Sequence, residues 1–161
     1  MHSKNCFFIG HRDAGEELLP ILAEAVERHI TQCGVTDFYV GHYGRFDSMA
    51  AQTVRDAKKR HPTVTLTLLL PYYPADRPTF IGTGFDGTFY PPGMERVPKR
   101  LAIVRANRYM VEYSSHLIAF ARYPASNARE LVEYAKARQE RGLIQVENLA
   151  EKMRRKEREI P

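Results

Sequence analysis

Short apolar runs alternate along this chain with longer stretches of helical period. The first run, 5–9, is rich in aromatic and β-branched residues and ends at Gly10, which predicts a strand. Over 15–33, Leu18, Leu22, Ala25, Val26 and Ile30 recur at steps of three and four, so they share one helix face, and Gly34 supplies the stop. Pro20 fits badly inside that helix, which therefore begins later than the pattern suggests or is kinked near its start. A second strand is predicted over 37–40. A helix over 47–60 follows, with Asp47 as its N-cap and His61-Pro62 as its end. The run 64–70 suits a central buried strand. Helical spacing returns over 101–113, a fourth strand over 116–121, a helix over 126–141, and Gly142 releases a short fifth strand over 143–146.

Strands and helices alternating in this way predict an α/β class domain with a mainly parallel sheet of about five strands and right-handed crossovers. The expected architecture is a three-layer, doubly wound Rossmann-like fold occupying residues 1–150 as a single domain, followed by a charged tail, 151–161. One segment breaks the rhythm. Between Pro71 and Pro98 lie six of the ten prolines, four of the ten glycines and six aromatics. A connection of that length with no periodicity is commonly a functional lid, and the aromatics argue against disorder.

Composition narrows the class. With 161 residues, 43% hydrophobic and 27% charged, the chain is long enough for one core without disulfides or a structural metal. Cys6 and Cys33 have no CxxC spacing and read as reduced thiols. No secretory pattern and no apolar run near 18 residues is present, so a cytoplasmic location and no membrane association are expected. The net charge is +5, of which the tail carries +2, leaving a domain that is only mildly basic. Nucleic acid is thus the lesser expectation for a partner.

In an open parallel sheet, ligands bind beyond the carboxyl ends of the strands where the strand order reverses. The turns that should reach this region are Gly10-His11-Arg12-Asp13 and Gly41-His42-Tyr43-Gly44-Arg45-Phe46-Asp47. Glycine at the turn, with a helix opening behind it, makes an anion site, here expected near Gly41, Gly44 and Asp47; each glycine also reads as a plain turn residue. The spacing is neither GxGxxG nor a Walker loop. Arg12 and Arg45 can clamp phosphate oxygens, or pair with Asp13 and Asp47. His11 and His42 offer acid–base or metal chemistry, but no other ligand spacing completes a metal set, so no metal and no resident cofactor is expected.

The segments Phe8-Ile9-Gly10-His11-Arg12, Phe38-Tyr39-Val40-Gly41 with Gly44-Arg45-Phe46-Asp47, Arg105-Ala106-Asn107-Arg108-Tyr109-Met110, and Glu133-Tyr134-Ala135-Lys136 together resemble a family of small bacterial and phage-associated proteins in the SLOG superfamily. Its relatives include the LOG phosphoribohydrolases and the DNA-processing protein DprA. The resemblance spans about residues 5–146. It implies a Rossmann-like domain that binds a nucleotide or nucleotide derivative, with the two glycine turns and the Asn107–Arg108 helix near the ligand. The PGGxGTxxE motif of LOG enzymes is absent; Ala125-Ser126-Asn127-Ala128 stands at that turn, where Ser126 and Asn127 can cap the helix and hydrogen-bond a phosphate.

Asn107 is a poor helix former, so its place inside a helix points to a specific hydrogen bond, to a base or ribose or to a neighbouring loop. Glu130 and Glu133 share a helix face and are the weak catalytic candidates for glycosidic cleavage, or simply solvated charges. The expected function is binding of a nucleotide-like small molecule, as sensor or as enzyme. The alternatives are a phosphoribohydrolase-like enzyme and a single-stranded nucleic-acid binder akin to DprA. A homodimer is expected only by analogy with related folds.

Overall fold

A computed structural model describes residues 4–73 and 84–159 of the chain. Six parallel strands form one sheet in the order β4-β3-β2-β1-β5-β6. The strands are β1 (Lys4–Gly10), β2 (Val35–Val40), β3 (Thr65–Leu69), β4 (Gly87–Phe89), β5 (His116–Phe120) and β6 (Gln145–Asn148). The helices are α1 (Leu19–Thr31), α2 (Arg45–Lys58), α3 (Ala102–Tyr113), α4 (Asn127–Glu140) and α5 (Leu149–Glu159). No helix among the described residues is long and apolar enough to cross a membrane.

Alternation along β1 assigns the layers. Cys6 and Phe8 join the core built by α1, α2 and Leu149, Ala150 and Met153 of α5. Phe7 and Ile9 join the other core, filled by Ala106, Met110 and Val111 of α3 with Leu131, Val132 and Ala135 of α4. Both faces of β1 and β5 are therefore covered, which is why these strands read as continuous apolar runs rather than alternating ones. The order reverses between β1 and β5: connections from β1 step outward through β2 and β3, and those from β5 step the other way.

The departures from expectation are local. α1 begins at Leu19, with Pro20 in its first turn where a missing N–H costs nothing; a 3-10 turn at Glu16–Leu18 precedes it. α2 begins at Arg45 with Gly44 as N-cap, so Asp47 is a first-turn residue and not the cap. The segment 71–98 contributes a sixth strand, β4, and a 3-10 turn at Met94–Arg96; the part of the lid expectation that falls on residues 74–83 lies outside the described residues. The last strand is Gln145–Asn148, two residues later than predicted. The charged tail is largely the helix α5, whose few apolar positions sit on the core.

Candidate functional site

The turns after β1, β2 and β5 and the first turns of α3 and α4 enclose a cleft of about 230 Å³ at the carboxyl end of the sheet, over the point where strand order reverses. Phe7, Ile9, Leu69, Pro71, Ile103 and Leu131 give it an apolar wall, while Arg12, Asp47, Asn107, Ser126 and Asn127 supply the polar groups.

The β1 turn is held rigidly. Gly10 has no room for a side chain, since a Cβ there would lie 2.2 Å from Cγ of the buried Phe46 ring. His11 is buried, and its Nε2 accepts the backbone N–H groups of Arg122 at 2.7 Å and Tyr123 at 3.3 Å. An accepting Nε2 fixes the ring proton on Nδ1, and burial lowers the imidazole's pKa. His11 thus ties the β1 turn to the β5 turn. Arg12 follows it, exposed at the cleft, and its side chain makes no hydrogen bond or ion pair among the described residues.

The β2 turn meets the β1 turn directly. Arg45 N–H donates to the Arg12 carbonyl at 3.0 Å, and a Cβ on Gly44 would lie 2.6 Å from Arg12 Cα. Gly44 has φ 151°, a conformation open essentially to glycine alone. The Arg12 backbone fills the space beside Gly44 that a side chain would need, and Gly44 does not line the cleft. Farther in, Asp47 Oδ2 accepts the Tyr43 N–H at 3.1 Å, and Gly41 leaves room for that carboxylate. Burial pushes the Asp47 carboxyl up to about 6, outweighing the Tyr43 hydrogen bond and the positive charge of Arg12.

On the other side, Ser126 caps α4: its Oγ accepts Arg129 N–H at 3.1 Å and donates to the Tyr123 carbonyl at 2.8 Å. Glu130 N–H reaches the Ser126 carbonyl, leaving the amides of Asn127 and Ala128 at the helix mouth without an intrahelical acceptor. Asn107 lines the same cleft, and its amide makes no hydrogen bond among the described residues.

Of the residues singled out from sequence, the cleft gathers Gly10, His11, Arg12, Gly41, Asp47, Asn107, Ser126 and Asn127. His42, Gly44, Arg45, Arg108, Glu130 and Glu133 do not line it. His42 is exposed against Tyr43, and Arg45 points outward to Glu16 at 3.7 Å. Arg108 stacks on the Tyr134 ring at 4.3 Å, and Glu133 accepts from Arg129 at 2.9 Å; both border, with Glu130, an adjoining surface groove that shares Val104, Asn127 and Leu131 with the cleft. Sequence reasoning missed Tyr43, Ile103 and Leu131; the last two were legible as one-turn neighbours of Asn107 and Asn127. Among the described residues no group of three or more His, Cys, Asp or Glu is placed to hold a metal ion.

No protein-family model matches the chain, and no curated protein matches it in sequence. Solved structures do. A Moco carrier protein from Chlamydomonas reinhardtii is similar at TM-score 0.51 and 15% identity, over 98% of this chain and 97% of that one. A second structure of the molybdenum cofactor carrier protein from that organism matches at TM-score 0.52 and 15% identity, over 90% of each chain. The chain has a Rossmann-like fold. DNA processing protein A from Helicobacter pylori, described with a single-stranded DNA binding mode, shares this Rossmann-like arrangement at TM-score 0.50 and 15% identity, over 89% of this chain and 74% of that one.

Proposed function

We propose that this domain binds a nucleotide or nucleotide derivative in the cleft above β1 and β5. The phosphoryl group is held by the Arg12 side chain and the first-turn amides of α4, and the heterocycle lies along Ile103, Asn107 and Leu131. The observation that carries the reading is the exposed Arg12 guanidinium, which makes no hydrogen bond or ion pair among the described residues and shares a cleft with the open mouth of α4 at the reversal of strand order. The resemblance to the SLOG superfamily points the same way, as do neighbours of the same fold described as a cofactor carrier and a DNA-binding protein. Glycosidic cleavage by Glu130 or Glu133 is disfavoured, because both carboxylates lie outside the cleft.

The test is calorimetric titration with the four common nucleoside 5′-monophosphates. Arg12→Ala is expected to weaken the best binder roughly tenfold or more, since a charged hydrogen bond to phosphate contributes about 1.5–3 kcal/mol. Arg45→Ala is expected to leave affinity unchanged. No binding by the wild type, or equal binding by Arg12→Ala, overturns the reading. Binding of an oligonucleotide that falls steeply with salt, in place of the monophosphates, would favour the nucleic-acid alternative.

A further inference from the structure

The cleft is not uniformly basic. Asp47 stands on its β2 side, the mouth of α4 on its β5 side, and the Arg12 turn between them, as the order β2-β1-β5 requires. Two strand spacings separate β2 from β5, about 10 Å. The two poles therefore stand over different strands, and they differ in sign. Asp47 Oδ2 is occupied by the Tyr43 N–H, while Oδ1 makes no hydrogen bond among the described residues. A partly desolvated carboxylate with one oxygen unused calls for a hydrogen-bond donor and repels a second anion. The cleft volume of about 230 Å³ also falls below the ~300–1,000 Å³ of common small-molecule sites.

From this juxtaposition we propose that Asp47 is a specificity-determining residue: it accepts one O–H or N–H from the uncharged end of the ligand and bars additional phosphates. The site then takes a ligand with a single phosphoryl group and a donor-bearing sugar or ring, and discriminates against the corresponding di- and triphosphates. This rests on the nucleotide-binding reading above. Arg12 neutralises one phosphoryl group, and a chain of further phosphates leaving it toward β2 would run against the carboxylate.

The experiment compares the tightest-binding nucleoside 5′-monophosphate from the titration above with its triphosphate, without divalent cation, at pH 8. Wild type is expected to prefer the monophosphate by roughly tenfold or more. Asp47→Asn keeps the size of the side chain and an oxygen for the Tyr43 N–H while removing the charge; it is expected to tighten triphosphate binding and shrink the preference at least threefold. A second measurement needs no variant: inorganic phosphate is expected to displace the bound monophosphate from wild type at lower concentration than pyrophosphate does. Equal wild-type affinity for the two nucleotides, displacement by pyrophosphate at the same or lower concentration, or an unchanged preference in folded Asp47→Asn overturns the inference. If the monophosphate binds in an Arg12-dependent way yet shows no preference, only the role of Asp47 falls; if no nucleotide binds, the functional reading falls and this inference with it.

Discussion

Gly44→Ala is expected to destabilise the domain far more than an ordinary turn substitution. Two costs add at this position. The backbone at φ 151° lies in a region that side-chain-bearing residues avoid, which costs on the order of 1–3 kcal/mol. The new Cβ would also sit 2.6 Å from Arg12 Cα and 2.9 Å from Arg12 Cβ, and backbone atoms cannot swing aside as a flexible side chain does. Overpacking of this kind costs a further ~1–3 kcal/mol, and separating the two turns strains the Arg45 N–H bond to the Arg12 carbonyl. The expected loss is about 2–6 kcal/mol, a large part of the ~5–15 kcal/mol that holds a domain folded. Gly34→Ala is the control: its φ of 76° is also positive, but nothing lies within 4 Å of the added Cβ, so it is expected to cost about 1–2 kcal/mol. Urea unfolding followed by far-ultraviolet circular dichroism, with m compared between variants, measures both. If Gly44→Ala is no less stable than Gly34→Ala, the contact between the turns after β1 and β2 does not constrain position 44.

Three further outcomes follow from buried polar groups. His116, at the end of the sheet opposite the cleft, is held down to about pKa 4 by burial first and then by the charges of His29 and Lys4, so the unfolded chain binds its proton more readily. Stability is expected to be lost as pH falls from about 6.5 to 4, with His116 accounting for about 2 kcal/mol at pH 5; urea midpoints at pH 8 and pH 5 should converge in His116→Gln, and an unchanged pH dependence there would exonerate it. Asn148 is buried, accepts from Ala121 N–H at 3.0 Å and Ala150 N–H at 3.2 Å, and donates to the Ala121 carbonyl at 3.1 Å. Asn148→Ala leaves those groups unpaired and is expected to cost about 2–4 kcal/mol in the same assay; less than 1 kcal/mol would show that the backbone finds other partners. Glu147 holds Arg28 through two hydrogen bonds of 2.5 and 3.0 Å, so Glu147→Gln is expected to cost about 1–3 kcal/mol, with little change in thermal midpoint counting against it.

The elements legible in sequence are those whose pattern is imposed by burial. β1 and β5 are sandwiched between helix layers and β3 packs on α2, and the apolar runs of all three sit within a residue or two of the observed strands. β4 has no such signature: it is three residues long at the sheet edge, with Gly87 and Thr88 exposed. α5 was hidden by charge, since among its described side chains Leu149, Ala150 and Met153 are the ones that touch the core. The cleft was partly legible because the turns of a parallel sheet converge at one end, whatever lies between them in sequence. What could not be read was helix phase. Glu130 lies about 100° round the helix from the cleft-lining Leu131, and Arg108 about 100° round from the cleft-lining Asn107. The outward direction of Arg45 follows from α2 starting at that residue instead of at Asp47. At Gly44 the close approach of the Arg12 backbone demands the same residue that close approach of a phosphate would.

The pairing of β1 with β5 has a consequence for how the molecule matures. Cys6 aligns with His116, whereas β1–β2 and β2–β3 join neighbours close in sequence. Closing the longer span costs more chain entropy, so β1 to β3 with α1 and α2 is expected to organise first and β5 to dock afterwards. The β1 and β2 turns belong to the early unit, but His11 finds the amides of Arg122 and Tyr123 only once β5 has docked. The cleft is thus expected to be completed only after β5 has docked. A molecule seated there would act as a latch on the late half, slowing amide exchange in β5 and α4 down to the rate of whole-domain opening, while the exchange of β2 and β3 would respond less. Equal slowing across all strands would indicate that the halves open together and that no such order exists.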